Sequence, residues 1–277
     1  MMKDLKTQLL VGGESVETDI SMLKKNPHII IGCPGRIYDM IQRKKLLINN
    51  LKIFILDEAD EMLSYGFKEQ IYNILDYLPL NVQMALFSAT MPDSIENLVK
   101  KFMKNPKKIL VKAEQLTLEG IEQYYVALEN DKDKYSALKD LYEVYSVSQC
   151  IIYCNSVNRV QHLYNCMIED NFAVSQIHSN MNKNERTLSY NDFINGRTRV
   201  LISSNITSRG IDIQQVSIVI NFDIPNCRNN YLHRIGRSGR WGRKGMGINF
   251  VTRRDINLMK DIEKFYSTEI KELPNIL

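Results

Sequence analysis

The sequence predicts an α/β protein made of two domains, each built on a mainly parallel sheet. Short apolar runs alternate with longer amphipathic segments along its 277 residues, and this alternation is typical of strand–helix–strand units with right-handed crossovers. Most of the runs are continuously apolar, which indicates strands that are buried on both faces. The length is enough for two domains of ordinary size.

The apolar runs give the predicted strands in order. They are His28–Ile31, Leu51–Leu56, Val82–Phe87, Cys150–Tyr153, Val174–Ile177, Val200–Ile202, Val216–Asn221 and Ile248–Val251. A second group of strands is expected to begin near Ile121–Leu128. Segments with apolar residues every three or four positions lie between the runs and predict helices. These helices are Phe67–Leu78, Ser94–Met103, Lys134–Tyr145, Ser156–Glu169 and Ile256–Tyr266.

A change in composition predicts the boundary between the domains. Pro106 and the lysines beside it end the first group of strands and helices, and the polar sequence KAEQLTLEG follows. We therefore expect the first domain to span residues 1–111, a linker to span 112–119 and the second domain to span 120–277.

The composition excludes several classes of protein. The 36 basic and 32 acidic side chains leave a net charge of +4, which is too small to indicate nucleic-acid binding unless basic residues cluster locally. No apolar run approaches the ~20 residues of a membrane helix, so a membrane is not an expected partner. The five cysteines form no C-x-x-C pair. This argues against a disulfide framework or a zinc site and favours a reducing intracellular compartment.

Two polar segments follow predicted strands of the first domain, where ligands of parallel sheets are bound. Asp57 and Glu58 come directly after Leu51–Leu56. In nucleotide hydrolases a first carboxylate of this kind holds Mg²⁺ through water and a second orients the attacking water; alternatively, Asp57 and Asp60 cap the next helix. Ser88-Ala89-Thr90 follows the next strand, and its two hydroxyls can reach the acidic loop. Alone, this tripeptide is ordinary turn chemistry.

Two further segments lie in the second domain. Tyr231–Lys244 contains four arginines with interleaved glycines, which suits either charge on a transferring phosphoryl group or general binding of a phosphate backbone. Without the neighbouring arginines and glycines, His233 would be interpreted as a structural histidine. Val200–Asp212 is a strand followed by hydroxyl residues and Asp212, which suits contacts with ribose and with nucleic-acid phosphates or, alternatively, a group of helix caps.

The ordered set of these segments resembles the DEAD-box RNA helicases. It comprises C-P-G-R at 33–36, D-E-A-D at 57–60, S-A-T at 88–90, S-R-G-I-D at 208–212 and H-R-I-G-R-S-G-R at 233–240. The nearest subgroup is the one typified by eukaryotic translation initiation factor 4A. The resemblance implies two RecA-like parallel-sheet domains, the first incomplete at its N-terminus. It also implies RNA-stimulated ATP hydrolysis coupled to local RNA unwinding, with ATP and Mg²⁺ as the cofactors of the complete enzyme.

The resemblance also implies a role for each residue at a matching position. The catalytic residues are Asp57, which holds Mg²⁺ through water, Glu58, Arg237 and Arg240. The nucleotide contacts are Asp212 and Gly210. The residues that couple nucleotide state to RNA are Asp60, Ser88, Thr90 and His233. The RNA contacts are Gly12, Gly13, Pro34, Gly35, Arg36, Ser204 and Thr207.

One element that the family requires is absent from the sequence. No G-x-x-x-x-G-K-[ST] loop occurs among the 277 residues, although this loop cradles the β- and γ-phosphates. In the family it precedes the Gly12-Gly13 segment, so we expect the chain to start partway through the first domain and that domain to expose apolar strand surface. ATP binding and hydrolysis by this chain alone are expected to be weak or absent. The alternative is a non-catalytic RNA- or protein-binding module derived from such a helicase.

The expected partners follow from the same resemblance. RNA would be held mostly through its sugar-phosphate backbone, and the protein partners would be of the translation-initiation or exon-junction type. We expect a monomer in the cytoplasm, with the nucleus as the alternative. Three departures affect the RNA contacts: Cys33 replaces a usual threonine, Asn205 replaces a usual aspartate, and Ser179-Asn180 replaces Gly-Asp.

Overall fold

The computed structural model describes residues 4–64, 66–110, 120–145, 149–205, 216–239 and 244–274. The chain divides into two compact units, Met1–Ile109 and Leu110–Leu277. Both units are α/β, and every strand pair in the described residues is parallel. The predicted fold class is therefore confirmed.

The first unit contains two separate pairs of strands. Its strands are β1 (Thr7–Leu10), β2 (Ile29–Gly32), β3 (Ile53–Leu56) and β4 (Gln83–Leu86). Its helices are α1 (Val16–Leu23), α2 (Pro34–Gln42), α3 (Ala59–Ser64), α4 (Lys68–Tyr77) and α5 (Asp93–Phe102). Strand β1 pairs with β2, and β3 pairs with β4 so that Leu56 lies opposite Leu86.

One face of β1, β2 and β3 packs against helices and the other is exposed to solvent. The larger core of the unit joins β3 to α3, α4 and α5 through residues such as Leu56, Ile71 and Leu98. The opposite faces of β1, β2 and β3 carry exposed apolar side chains, namely Leu9, Ile29, Ile31, Ile53 and Ile55, which are 42–60% exposed. Burial on both faces was therefore the wrong prediction for β2 and β3, whereas exposed apolar strand surface in this unit is confirmed.

The second unit has one seven-stranded sheet in the order β11-β5-β10-β9-β6-β8-β7. The strands are β5 (Ile121–Leu128), β6 (Cys150–Tyr153), β7 (Val174–Ile177), β8 (Val200–Ser203), β9 (Ile218–Asn221), β10 (Gly245–Thr252) and β11 (Lys271–Glu272). The helices are α6 (Lys134–Val144), α7 (Val157–Glu169), α8 (Lys183–Ile194), α9 (Arg228–Ile235) and α10 (Ile256–Tyr266).

Helices cover both faces of this sheet. One core contains Leu138, Ile152 and Leu163, and the core on the opposite face contains Phe193 and Ile262. Every residue of β6, β8 and β9 is buried, so burial on both faces is confirmed for these central strands. Within the described residues, no helix is both long and apolar enough to cross a bilayer.

Each predicted strand and helix overlaps an observed one, but several observed elements were not predicted. Helix α2 begins with Pro34 and Gly35, a pair that ordinarily indicates a turn. Helix α8 buries only Phe193, so it carries almost no apolar periodicity. The other unpredicted elements are β1, β11, α1 and α9.

Candidate functional site

The acidic loop of the first unit begins where β3 ends. Asp57 is exposed, and its Oδ1 accepts a hydrogen bond from the Glu58 backbone N–H at 2.9 Å. Glu58 adopts φ = 50°, a left-handed conformation that is uncommon for a residue with a side chain. Its carbonyl then accepts the N–H groups of Glu61 and Met62, both at 3.0 Å. This left-handed conformation at Glu58 places the carboxylates of Asp57 and Glu58 at the carboxyl end of β3, directly before α3.

The loop after β4 is hydrogen-bonded to this acidic loop. The backbone of Ala59 donates to the carbonyl of Phe87 at 3.0 Å. The Asp60 N–H donates to Ser88 Oγ at 3.2 Å, and Ser88 Oγ donates to the Thr90 carbonyl at 2.7 Å. Thr90 Oγ1 in turn donates to Asp60 Oδ2 at 2.6 Å. The structure thus brings Asp60 together with Ser88 and Thr90, which lie 28 and 30 positions further along the chain. Their coupling role remains a prediction.

Replacing Thr90 with valine should lower the free energy of unfolding of the first unit by about 1.5–3 kcal/mol, because the 6%-exposed Asp60 loses a charge-assisted hydrogen bond in a site of unchanged shape. Urea denaturation of the purified chain measures this change. Thr7→Val is the matched control, since Thr7 is exposed on β1 of the same unit, and it should change stability by less than about 0.5 kcal/mol. Equal stability of the two variants would show that the Thr90–Asp60 bond contributes nothing.

Arg36 lies inside the first unit rather than on its surface. Its side chain is 11% exposed and forms an ion pair with Asp19. It also donates to the carbonyl of Glu14 at 2.8 Å. Because Glu14 follows the exposed turn at Gly12-Gly13, where Gly13 has φ = 80°, this arginine ties that turn to α2. Its use as a direct RNA contact remains a prediction.

The first turn of α2 is only partly exposed: Cys33 is exposed, Gly35 is half-buried and Pro34 is buried. Pro34 occupies the first turn, and the N-cap residue, Cys33, makes no side-chain capping hydrogen bond. A Cβ atom added at Gly35 would meet nothing within 4 Å. A helix N-terminus of this kind presents backbone N–H groups and the positive end of the helix dipole to an anion.

In the second unit, α9 and the turn after it carry the predicted His233 and Arg237. Both are largely buried, at 6% and 8% exposed, and Arg237 Nε donates to the carbonyl of His233 at 3.3 Å. Ser204 follows β8, and its backbone N–H donates to the carbonyl of Ile177 at 3.4 Å. The predicted Thr207, Gly210, Asp212 and Arg240 lie outside the described residues.

Arg234 is the centre of a buried polar network to which sequence reasoning assigned no role. It is 0% exposed. Its Nε and Nη2 donate to Asn205 Oδ1 and Asn155 Oδ1, both at 2.8 Å. Its Nη1 donates to the carbonyl of Asp223 at 2.8 Å and to Asn221 Oδ1 at 3.2 Å. One guanidinium therefore joins α9 to the carboxyl ends of β6, β8 and β9.

A second ionic network lies beside it. Lys134, with a side chain only 4% exposed, contacts Asp223 and Asp131 at 3.0 Å each. Arg159 also pairs with both carboxylates, and its hydrogen bonds lower the pKa of Asp131. The two cations and two carboxylates balance, which is what allows a lysine to be buried here.

The described residues contain no group of three or more His, Cys, Asp or Glu side chains that could hold a metal. Mg²⁺ on a nucleotide takes only one or two protein carboxylates and completes its shell with water and phosphate oxygens. The exposed Asp57 carboxylate at the end of β3 fits this requirement.

Comparison with known proteins identifies the class. The profile of the DEAD/DEAH box helicase family matches residues 1–98, and that of the helicase conserved C-terminal domain matches residues 133–242. The chain belongs to the DEAD-box helicase family.

Within this family the chain is similar to initiation factor 4A. It is 52% identical over 272 residues to the ATP-dependent RNA helicase eIF4A of Kluyveromyces lactis, covering 98% of this chain and 69% of the relative. It is 51% identical over 271 residues to eukaryotic initiation factor 4A of Cryptosporidium parvum, covering 98% and 67%. The chain thus spans about two thirds of the length of these relatives.

A solved structure agrees with this assignment. S. cerevisiae Dbp5 L327V bound to RNA and ADP BeF3 matches with a TM-score of 0.88 at 33% identity, covering 98% of this chain and 70% of that one.

Proposed function

We propose that the chain acts in ATP-dependent RNA unwinding, as the part of a DEAD-box helicase that binds RNA and orients the attacking water. The observation that carries this proposal is the junction of the two loops after β3 and β4. There, Asp57 and Glu58 lie at a strand end, and Asp60 is hydrogen-bonded to Ser88 and Thr90. A change at the carboxylates would pass through these hydrogen bonds to the loop that leads into α5.

Each predicted site residue would have a separate role in ATP hydrolysis. Asp57 would hold Mg²⁺ through water, and the metal would neutralise charge on the phosphates. Glu58 would orient the water that attacks the γ-phosphate. Arg237 and Arg240 would stabilise the charge on the transferring phosphoryl group, while Asp212 and Gly210 would contact the nucleotide. His233 would link these groups to the RNA contacts.

RNA binding would depend on backbone groups more than on base-reading side chains. The main-chain N–H groups of the Gly12-Gly13 turn and of Gly35, in the first turn of α2, would bind phosphate. Pro34 has no N–H and would only position this turn. Arg36 would act by holding these two segments together. With Ser204 and Thr207 in the second unit, such contacts grip the sugar-phosphate chain and read little sequence.

Replacing Gly35 with glutamate tests this proposal. A carboxylate in the first turn of a helix favours folding, and a Cβ atom added at Gly35 meets nothing within 4 Å, so the variant should fold normally. The same carboxylate would repel an RNA phosphate, and we expect RNA affinity to fall roughly tenfold. Fluorescence anisotropy with a labelled oligouridylate measures the affinity.

Asn184→Glu is the matched control. Asn184 is exposed and holds the equivalent second position of α8, so this variant has the same net charge as Gly35→Glu. Its RNA affinity should stay within about twofold of wild type. Equal weakening by both substitutions would assign the effect to overall charge and contradict a phosphate contact at α2.

For the 277-residue polypeptide by itself, we propose RNA binding with little or no ATP hydrolysis, because its sequence holds no G-x-x-x-x-G-K-[ST] loop. The same observation favours the second candidate, a non-catalytic RNA- or protein-binding module. We propose the cytoplasm as the compartment, with the nucleus as the alternative, and proteins of the translation-initiation or exon-junction type as partners.

A further inference from the structure

One short segment at the end of the first unit is rich in positive charge. Residues 96–110 contain five lysines and a single glutamate, a net charge of +4, which equals the net charge of the whole chain. Five of the 36 basic and one of the 32 acidic side chains lie in this segment, which leaves 31 of each elsewhere. Outside this segment the formal charges therefore cancel.

The structure extends this charge across two helices. Tyr72 of α4 and Phe102 of α5 pack edge to face, with ring centroids 5.4 Å apart. Lys101 Nζ lies 5.1 Å from the centroid of Tyr72 and 4.6 Å from that of Phe102. Lys68 Nζ, from the start of α4, lies 6.0 Å from the centroid of Tyr72. The ammonium groups of Lys68 and Lys101 are thus no more than about 11 Å apart, which is close to the Debye length of about 10 Å in 0.1 M salt.

Lys68 and Lys101 share the Tyr72 ring, and four further exposed lysines lie within seven positions of Lys101 along the chain; these six residues are together called the lysine surface. Its members are Lys68, Lys100, Lys101, Lys104, Lys107 and Lys108. Among the described residues, these lysines form one ion pair within 4.0 Å, between Lys100 and Glu96 at 3.7 Å. The two side chains are 73% and 51% exposed. An exposed ion pair of this kind contributes little free energy, so most of the positive charge is available to an external anion.

We propose that the lysine surface binds the phosphodiester backbone of RNA and supplies a second, purely electrostatic contact apart from the turn at Gly12-Gly13 and the start of α2. This inference rests on the proposed RNA-binding function. Each ammonium group that approaches a phosphate releases condensed counterions, so the contact strengthens as salt falls. Tyr72 and Phe102 are half-buried, and Lys101 lies over both rings, so no base stacks there and no sequence is read.

The chemistry favours RNA over an acidic protein. The surface contains lysines and no arginine. A lysine ammonium is a point charge, which suffices for a flexible phosphate chain, whereas carboxylates fixed on a folded partner are better matched by the two-pronged guanidinium. Multiple point charges, on α4, on α5 and on the segment that follows α5, suit a linear polyanion whose charges repeat along its length.

The test is the salt dependence of RNA binding by the full chain. In the variant K100Q/K104Q/K107Q the side chains over Tyr72 and Phe102 stay in place, so folding should be preserved, as circular dichroism can verify. Losing three phosphate contacts should reduce the slope of log K against log salt by about 2 units between about 50 and 200 mM salt. The affinity at the low end of that range should fall at least about tenfold. The control K260Q/K264Q/K271Q removes the same charge from exposed positions of the second unit and should leave the slope close to that of wild type.

The outcomes separate this inference from the proposed function. Equal slopes for the two triple variants, together with weakened binding by Gly35→Glu, would overturn the lysine surface and leave the proposed function standing. No RNA binding by the wild-type chain would overturn both. Unchanged RNA binding combined with lost binding to polyglutamate would also overturn the inference, by assigning the surface to an acidic protein.

Discussion

Replacing Arg234 with alanine should lower the free energy of unfolding of the second unit by about 3–5 kcal/mol. The wholly buried guanidinium donates to side chains or carbonyls at the ends of three strands. Its removal leaves several buried acceptors without a donor, at about 1–3 kcal/mol each before relaxation, and opens a cavity. Urea denaturation gives the total loss, and hydrogen exchange in β6 and β9 assigns that loss to the second unit.

Arg228→Ala is the matched control on the same helix. Arg228 has a side chain that is 45% exposed, lies 3.9 Å from the centroid of Phe265 and forms a long ion pair with Asp261. Arg228→Ala should lower the free energy of unfolding by no more than about 1 kcal/mol. Arg234→Lys keeps the positive charge but loses the planar guanidinium donors. Its loss in free energy of unfolding should lie between those of Arg234→Ala and Arg228→Ala. A loss at Arg234→Ala no larger than that at Arg228→Ala would mean that the buried network does not hold the strand ends together.

The purified 277-residue polypeptide, with saturating RNA, should hydrolyse ATP at least about 10³-fold more slowly than a relative that carries G-x-x-x-x-G-K-[ST]. Phosphoryl transfer depends almost entirely on positioning and on charge stabilisation, and removing even one such donor commonly costs about 10²–10³ in rate. A coupled assay of ADP release measures the rate, and the relative that carries this loop serves as the reference.

Glu58→Gln separates true turnover from contamination in that assay. If the chain is inactive alone, wild type and Glu58→Gln should give the same background rate. RNA-stimulated hydrolysis that disappears in Glu58→Gln would contradict the expectation and favour an autonomous enzyme. RNA binding without any turnover would favour the non-catalytic module.

The strand ends of the first unit could be predicted because their signal is local. An apolar run followed at once by Asp57 or Ser88 can be recognised within a few residues. Parallel strands then bring such ends to one edge of the sheet. The hydrogen bond between Thr90 and Asp60 is a consequence of the pairing of β3 with β4, which the spacing of the two motifs already indicated.

The Arg234 network could not be predicted because its signal is dispersed. Its amide partners, Asn155, Asn205 and Asn221, span 67 sequence positions, and asparagine after a strand is ordinary turn chemistry. Only the order of strands in the folded sheet brings them around one guanidinium. Similarly, nothing in the order of residues predicts that Arg36 turns inward to Asp19, since an arginine after Pro-Gly suits a surface contact equally well.

The apolar face of β1, β2 and β3 has a practical consequence for handling the polypeptide. Isoleucine and leucine side chains that are about half exposed keep a layer of unfavourably hydrated surface in contact with solvent. The chain carries a net charge of only +4, so electrostatic repulsion between copies is weak. We therefore expect self-association of the concentrated protein to begin at this face of the first unit, since the sheet of the second unit is covered by helices on both faces.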